Sequence, residues 1–124
     1  MAIDQGTTGS TVLLMDQSGH VVAKTNVEYK QIYPQPGWVE HNPQDIWNSV
    51  ESAALQTLKK ASAHQDEIMT IGITNQRETV VAFRRSTGEI LHNAIVWQCR
   101  RTAKMCDQLR KKWSQKVKSK TGLV

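Results

Sequence analysis

Asp4, Gly6, Thr7, Thr8, Gly9 and Ser10 crowd one carboxylate, two glycines and three hydroxyls into a single turn, between the short apolar start Ala2-Ile3 and the apolar run Val12-Leu13-Leu14-Met15. A turn of this composition suits a phosphate. Glycine lets the backbone approach and bend where a side chain would forbid it, leaving N–H groups for an anion, and hydroxyls add donors. Asp4 would repel a phosphate unless a divalent cation lay between them, so the combination points to phosphate plus Mg²⁺. The Walker pattern fails because no Lys follows the second glycine, and the dinucleotide pattern fails because no third glycine opens a helix. A β-hairpin whose Gly and Thr merely fit the turn, capped by Asp4, is the competing local reading.

A second polar cluster, Thr74-Asn75-Gln76-Arg77-Glu78-Thr79, follows the apolar run Ile68-Met69-Thr70-Ile71-Gly72-Ile73. It falls where strand ends conventionally carry ligands. On local grounds Arg77 and Glu78 could equally form a surface ion pair. His41, in an aromatic loop, is given no catalytic role. Cys99 and Cys106, seven residues apart, are expected on one side of a helix as packing residues, with no nearby His to complete a zinc set.

Elements must position these groups. At 124 residues with 39% hydrophobic and 22% charged side chains, the chain has the composition of one ordinary globular domain. No run reaches the length of a membrane span and the start lacks a secretion-signal layout, so a cytoplasmic setting is expected. Much of the net charge of +5 lies in the C-terminal segment from Arg100 to Lys120, without an interleaved aromatic platform. This reads as a solvated helix face rather than a nucleic-acid surface.

Thr11–Met15 and His20–Ala23 read as a hairpin around Asp16-Gln17-Ser18-Gly19, and Val27 and Tyr29 as a half-exposed strand running toward Ile32. Two prolines and a glycine then force a loop over residues 33–43, pinned to the domain by Tyr33 and Trp38. Asn42 caps a helix with Pro43 at its first position and Trp47, Val50, Ala54 and Leu58 as its apolar stripe. Ile68–Ile73 reads as a buried parallel strand, and Val80–Phe83 with Ile90–Trp97 as a hairpin around Arg84–Gly88. Cys99, Ala103, Cys106, Leu109 and Trp113 mark the face of a second amphipathic helix, and the chain stops at Thr121-Gly122-Leu123-Val124.

Four segments in this order, Asp4–Thr8, Pro36–His41, Gly72–Thr79 and Asn93–Thr102, resemble successive motifs of the FGGY carbohydrate kinase family, its glycerol-phosphorylating members in particular. The resemblance covers essentially the whole chain. It implies an α/β, actin-like, ribonuclease H-like ATPase fold: a mixed sheet with three antiparallel strands first, then helix, parallel strand, hairpin and helix. Residues 1–124 would be an incomplete N-terminal kinase domain, with the adenine-binding second domain absent. The implied activity is transfer of the γ-phosphoryl of MgATP to glycerol. ATP phosphates would lie near Gly6, Thr7, Thr8 and Gly9, Mg²⁺ near Asp4, and glycerol against Arg77, Glu78 and Trp97. The aspartate that accepts the alcohol proton would lie beyond Val124, so the chain alone is expected to be inactive. Two positions depart from the family pattern: Gly9, where serine is common, and Thr11, where arginine is common. Another FGGY substrate, such as xylulose or gluconate, and a non-catalytic kinase-like binding module are the alternatives.

Overall fold

In the computed structural model, which describes residues 1–122, strand β1 (Ala2–Gln5) runs antiparallel to β2 (Gly9–Met15), with Asp4 opposite Thr11 and Gln5 opposite Ser10. Asp16 then closes a tight turn. Its carboxylate accepts from the Ser18 and His20 amides at 2.8 and 2.9 Å, and Gly19 takes the left-handed conformation (φ 84°). β3 (Val21–Glu28) pairs antiparallel with β2. The two short runs read from the sequence, His20–Ala23 and Val27 onward, are thus one strand, because the polar Lys24, Thr25 and Asn26 between them stay in the ladder.

Helix α1 (Pro43–Ala61) starts as its cap residues require. The Asn42 side chain accepts from the Gln44 amide at 2.9 Å, Pro43 follows, and the helix ends at Ser62 in the left-handed region. It lies on the sheet face formed by Ser10, Val12 and Leu14. Its buried residues are Ser49, Ala53 and Thr57, flanked by half-buried Val50 and Ala54. The expected stripe is therefore corrected: the helix is turned so that small side chains meet the sheet, and Trp47 is 61% exposed. Close approach favours small groups here. Ile3, Val12 and Ala53 form the core, and the Ser10 and Ser49 hydroxyls meet inside it at 2.7 Å.

After a single 3₁₀ turn (Gln65–Glu67), β5 (Gly72–Asn75) joins β1 in parallel, giving the sheet order β3-β2-β1-β5. The parallel direction agrees with the sequence reading, but the strand begins later and is not buried. It forms the sheet edge with every residue exposed, Ile73 at 72%.

Residues 76–101 form less regular structure than the expected hairpin. Val80 bridges Ile95 and Phe83 bridges Ile90, while β6 (Ala94–Ile95) pairs with β4 (Glu40–His41), an element the sequence did not reveal. The 36–41 loop is thereby stitched to residues 94–101, with the Val96 amide donating to Val39 O at 3.1 Å and the Arg100 amide to Gly37 O at 2.7 Å. Trp38 pins this loop; Tyr33, 68% exposed, does not. α2 (Ala103–Thr121) is amphipathic as expected, yet none of its residues is buried. Cys99 precedes this helix and Cys106 is exposed on it, so the two cysteines do not share a packed helical side. Of the terminal residues read as the chain's stop, Leu123 and Val124 lie outside the described residues.

Candidate functional site

The parallel register of β1 and β5 sets Asp4 beside Thr74 and Gln5 beside Asn75, so the two polar clusters leave the sheet at the same end. Between them opens a cleft of about 590 Å³. Asp4, Gln5, Gly6 and Thr7 line one side; Asn75, Gln76, Arg77 and Glu78 line another; Trp97 and Thr121 complete it. The Trp97 indole N–H donates to Thr7 Oγ1 at 3.0 Å, which joins the candidate phosphate turn directly to the aromatic side chain. Asp4, Gly6, Thr7, Arg77, Glu78 and Trp97 are thus brought together.

Two of the named turn residues sit differently. Thr8 is exposed and is not among the cleft-lining residues. Gly9 is buried against β3, and a Cβ built on it would lie 2.7 Å from Val27 O and 2.9 Å from Glu28 Cα. Glycine here serves close strand packing. The Gly6 amide donates to Gly9 O at 2.9 Å and so closes the turn. Thr11, where the family pattern has arginine, accepts from Asn26 Nδ2 at 2.9 Å. Glu78 adopts φ 67°, a left-handed conformation uncommon for a non-glycine residue.

Behind the turn lies a hydrogen-bonded network that the sequence reading missed. Tyr29 Oη donates to Gly6 O, and Gln5 Nε2 reaches the same carbonyl at 2.8 Å. Gln31 Nε2 donates to Thr7 O at 3.1 Å. Gln76 Nε2 approaches Tyr29 Oη at 3.1 Å and His41 Nδ1 at 3.4 Å, and His41 Nε2 bonds Gln31 Oε1. His41 is fully buried, its ring edge-on to Tyr29 at 5.1 Å. Burial holds its pKa below 6.5 and raises that of Tyr29 above 10. Gln5 and Gln76 did sit inside the two polar clusters. Nothing in the β-like alternation around Tyr29 announced that its hydroxyl turns inward.

A clamp holds the Trp97 segment in place. Arg101 Nη2 pairs at 2.6 Å with Oε1 of the buried Glu40, Asn93 Nδ2 donates to Glu40 Oε2 at 3.1 Å, and the Arg101 guanidinium stacks 4.0 Å from the Trp38 ring centre. The hydrogen bond from Arg101 keeps the Glu40 carboxyl below its ordinary pKa of 4.5.

Among the described residues no group of three or more His, Cys, Asp or Glu gathers to hold a metal by itself. The donor set fits Mg²⁺ in its usual phosphate-sharing mode, in which one carboxylate suffices and phosphate oxygens and water complete the shell. Asp4, exposed at the strand end, places one carboxylate on the lining of the cleft.

An antiparallel β1-β2-β3 meander extended in parallel by β5, with a Gly/Thr turn leaving β1 and a helix across the sheet, is the beginning of an actin-like ATPase fold. Solved structures agree. The chain superposes on the glycerol kinase of Plasmodium falciparum, solved with ADP, at a TM-score of 0.81 and 34% identity, covering 94% of this chain and 24% of that one. The gluconate kinase of Lactobacillus acidophilus gives 0.86 at 24% identity over 98% of this chain and 24% of that one, a likeness of fold alone. The chain belongs to the FGGY family of carbohydrate kinases, whose N-terminal domain pattern matches residues 1–124. Among curated proteins it is 52% identical to the glycerol kinase of Caldanaerobacter subterraneus subsp. tengcongensis and 49% identical to glycerol kinase 2 of Thermotoga maritima. Both alignments cover 100% of this chain and 25% of the relative, so the chain spans about a quarter of their length. Family and fold are those expected from the motifs. Among the described residues no helix is long and apolar enough to cross a membrane.

Proposed function

We propose that this chain supplies one wall of the active site of an ATP-dependent glycerol kinase, and that the polypeptide it belongs to transfers the γ-phosphoryl of MgATP to glycerol. The observation that carries the reading is the Thr7–Trp97 hydrogen bond, which unites a candidate phosphate turn and a candidate polyol wall in one cleft. The choice of glycerol is supported by about 50% identity to curated glycerol kinases over the whole chain and by 34% identity to a glycerol kinase of known structure.

Each residue has chemistry to match. Thr7 Oγ1 accepts from Trp97, which leaves its own proton to donate to a phosphate oxygen. Thr8, and the Gly6 and Gly9 backbone that shapes the turn, belong to the same phosphate-binding segment. Asp4 would hold Mg²⁺, which when bound offsets charge on the phosphate oxygens. Arg77 donates to substrate hydroxyl oxygens, Glu78 accepts from hydroxyl hydrogens, and Trp97 packs on the carbon chain. Residues 1–124 by themselves form an incomplete N-terminal kinase domain and turn over no glycerol. In-line transfer needs the nucleophile and the transferring group held from both sides of a cleft. The setting is cytoplasmic.

The test joins this chain to the downstream part of the kinase and measures ATP consumption with glycerol, xylulose and gluconate as competing substrates. Asp4→Ala and Arg77→Ala should each lower glycerol-dependent turnover by about 100-fold or more. Indifference to both would sink the site, and a preference for either sugar substrate would sink the choice of glycerol.

A further inference from the structure

The network behind the turn has a direction. The Trp97 amide donates to Thr79 Oγ1 at 3.3 Å, the Thr79 hydroxyl donates to Gln76 Oε1 at 3.1 Å, Gln76 Nε2 donates to Tyr29 Oη at 3.1 Å, and Tyr29 Oη donates to Gly6 O. A hydroxyl has one proton to give, so Thr79 and Tyr29 each fix the sense of the chain. The Gln76 amide cannot turn over without cost. Its Nε2 faces Tyr29 Oη, Gln5 Oε1 at 3.4 Å and His41 Nδ1 at 3.4 Å, and reversal would set its oxygen against the last two acceptors. His41 supports this sense, because neutral imidazole donating from Nε2 to Gln31 Oε1 keeps Nδ1 as an acceptor.

The far end of the network grips two consecutive carbonyls of the turn. Gly6 O is held by Tyr29 and Gln5, and Thr7 O by Gln31. In a planar trans peptide the N–H points opposite to the C=O. Drawing Gly6 O and Thr7 O toward the network therefore turns the amide N–H groups of Thr7 and Thr8 away from it. Those are the donors a phosphate needs.

We propose that Tyr29, Gln76 and Thr79 are positioning residues forming a hydrogen-bonded relay, which orients the Thr7 and Thr8 amides for nucleotide phosphate and ties them to the Trp97 side of the cleft. The relay rests on the kinase reading above. Bonds in one sense polarise each other, so a break anywhere along it weakens the grip on the turn.

The test uses the same full-length polypeptide with Tyr29→Phe, Thr79→Val and the double variant, measuring KM for MgATP, kcat and thermal stability. Each single variant should raise KM for MgATP about three- to tenfold, the effect of one net hydrogen bond. The double variant should be no worse than the more affected single, because one chain is being cut twice. Thr79→Val is decisive, since the Thr79 hydroxyl bonds Gln76 and the Trp97 amide and not the phosphate turn itself, and a local packing role would lower stability with KM for MgATP unmoved. Unchanged KM in Thr79→Val, or strictly additive effects, overturns the relay. If Asp4→Ala and Arg77→Ala still cripple turnover in that case, the relay fails and the kinase reading stands. If those two variants are also silent, the kinase reading itself fails. Should Tyr29→Phe not fold, Thr79→Val alone decides.

Discussion

α1 and α2 are each 19 residues long, each amphipathic in sequence, and each closed by a residue in the left-handed region, Ser62 at φ 52° and Gly122 at φ 74°. Their fates differ. α1 sets Ser49, Ala53 and Thr57 under the sheet, whereas α2 has no buried residue and leaves Leu109, Trp113 and Val117 roughly half exposed. Having an apolar face does not explain this, because α2 carries Leu109, Trp113 and Val117 on one, while the buried residues of α1 include Ser49 and Thr57. Proximity does: α1 lies across β2 and β3, while the groove along Cys106, Leu109, Trp113 and Val117 has no facing element among the described residues. β5 repeats the lesson within the sheet, since it pairs through β1 yet exposes every side chain. Periodicity reports which face is apolar, and only a neighbour makes that face a core.

Beside the buried Ala94 and Val96, a polar clamp holds the less packed half to the better packed one. Glu40 sits at 5% exposure in β4, and its partner Arg101 lies just before α2. The sharpest way to break the comparison is Glu40→Ala. Removing the carboxylate strips the half-buried Arg101 guanidinium of its charge-assisted hydrogen bond and should cost about 2 kcal/mol, read as a lowered denaturant midpoint. Glu89→Ala is the control, because the Arg84–Glu89 pair is 55% and 58% exposed and should change stability by about 0.5 kcal/mol or less. If both variants behave alike, the clamp does not join the two halves.

The comparison also marks what the sequence could convey. The first two strands, the N-cap at Asn42 and the span of α1 were legible because each depends on local chemistry and period, whereas α2 was legible as an amphipathic helix but not in its start, which lies at Ala103 and not at Cys99. The four-motif resemblance identified the family and fold, and the parallel register of β1 and β5 then brought the two polar clusters to one end of the sheet. The β4–β6 pairing was not legible. It joins residues over 50 positions apart through two-residue strands, too short for any alternation to appear. The same holds for the inward hydroxyl of Tyr29 and for Trp47, which shares the helical spacing of Val50 and Ala54 but not their packing against the core.

His41 offers a smaller and more specific perturbation of the better packed half. Its pKa is depressed by burial below the unfolded value of 6.5, so as pH falls the unfolded chain takes up the proton first. Stability is then fully present above pH 6.5 and declines as pH falls through 6.5 toward the folded pKa. A proton on Nδ1 would also face the Gln76 amide donors. Denaturation between pH 7.5 and about 5.5 should show this decline. The window stays above the carboxyl range in which Glu40, also depressed, begins to lose its contribution. His41→Gln should lower stability at pH 7.5 and flatten the slope. A slope that survives the substitution would assign the pH response to another group.

The smallest effect is the most diagnostic for α2. Leu109 is 48% exposed and faces an open groove, so Leu109→Ala removes few contacts and replaces Leu with a slightly better helix former. In residues 1–124 the change should stay within about 0.5 kcal/mol. Val12→Ala, at a fully buried site against Ile3 and Ala53, should cost about 2 kcal/mol because lost transfer energy and a residual cavity add. Both are read from denaturant midpoints on the same chain. Equal costs would mean that the α2 stripe is covered in solution and that the two helices do not differ as their surroundings here require. A near-zero cost in residues 1–124 that rises toward 2 kcal/mol when the chain is joined to the downstream kinase would assign the α2 stripe to a core completed by those downstream residues.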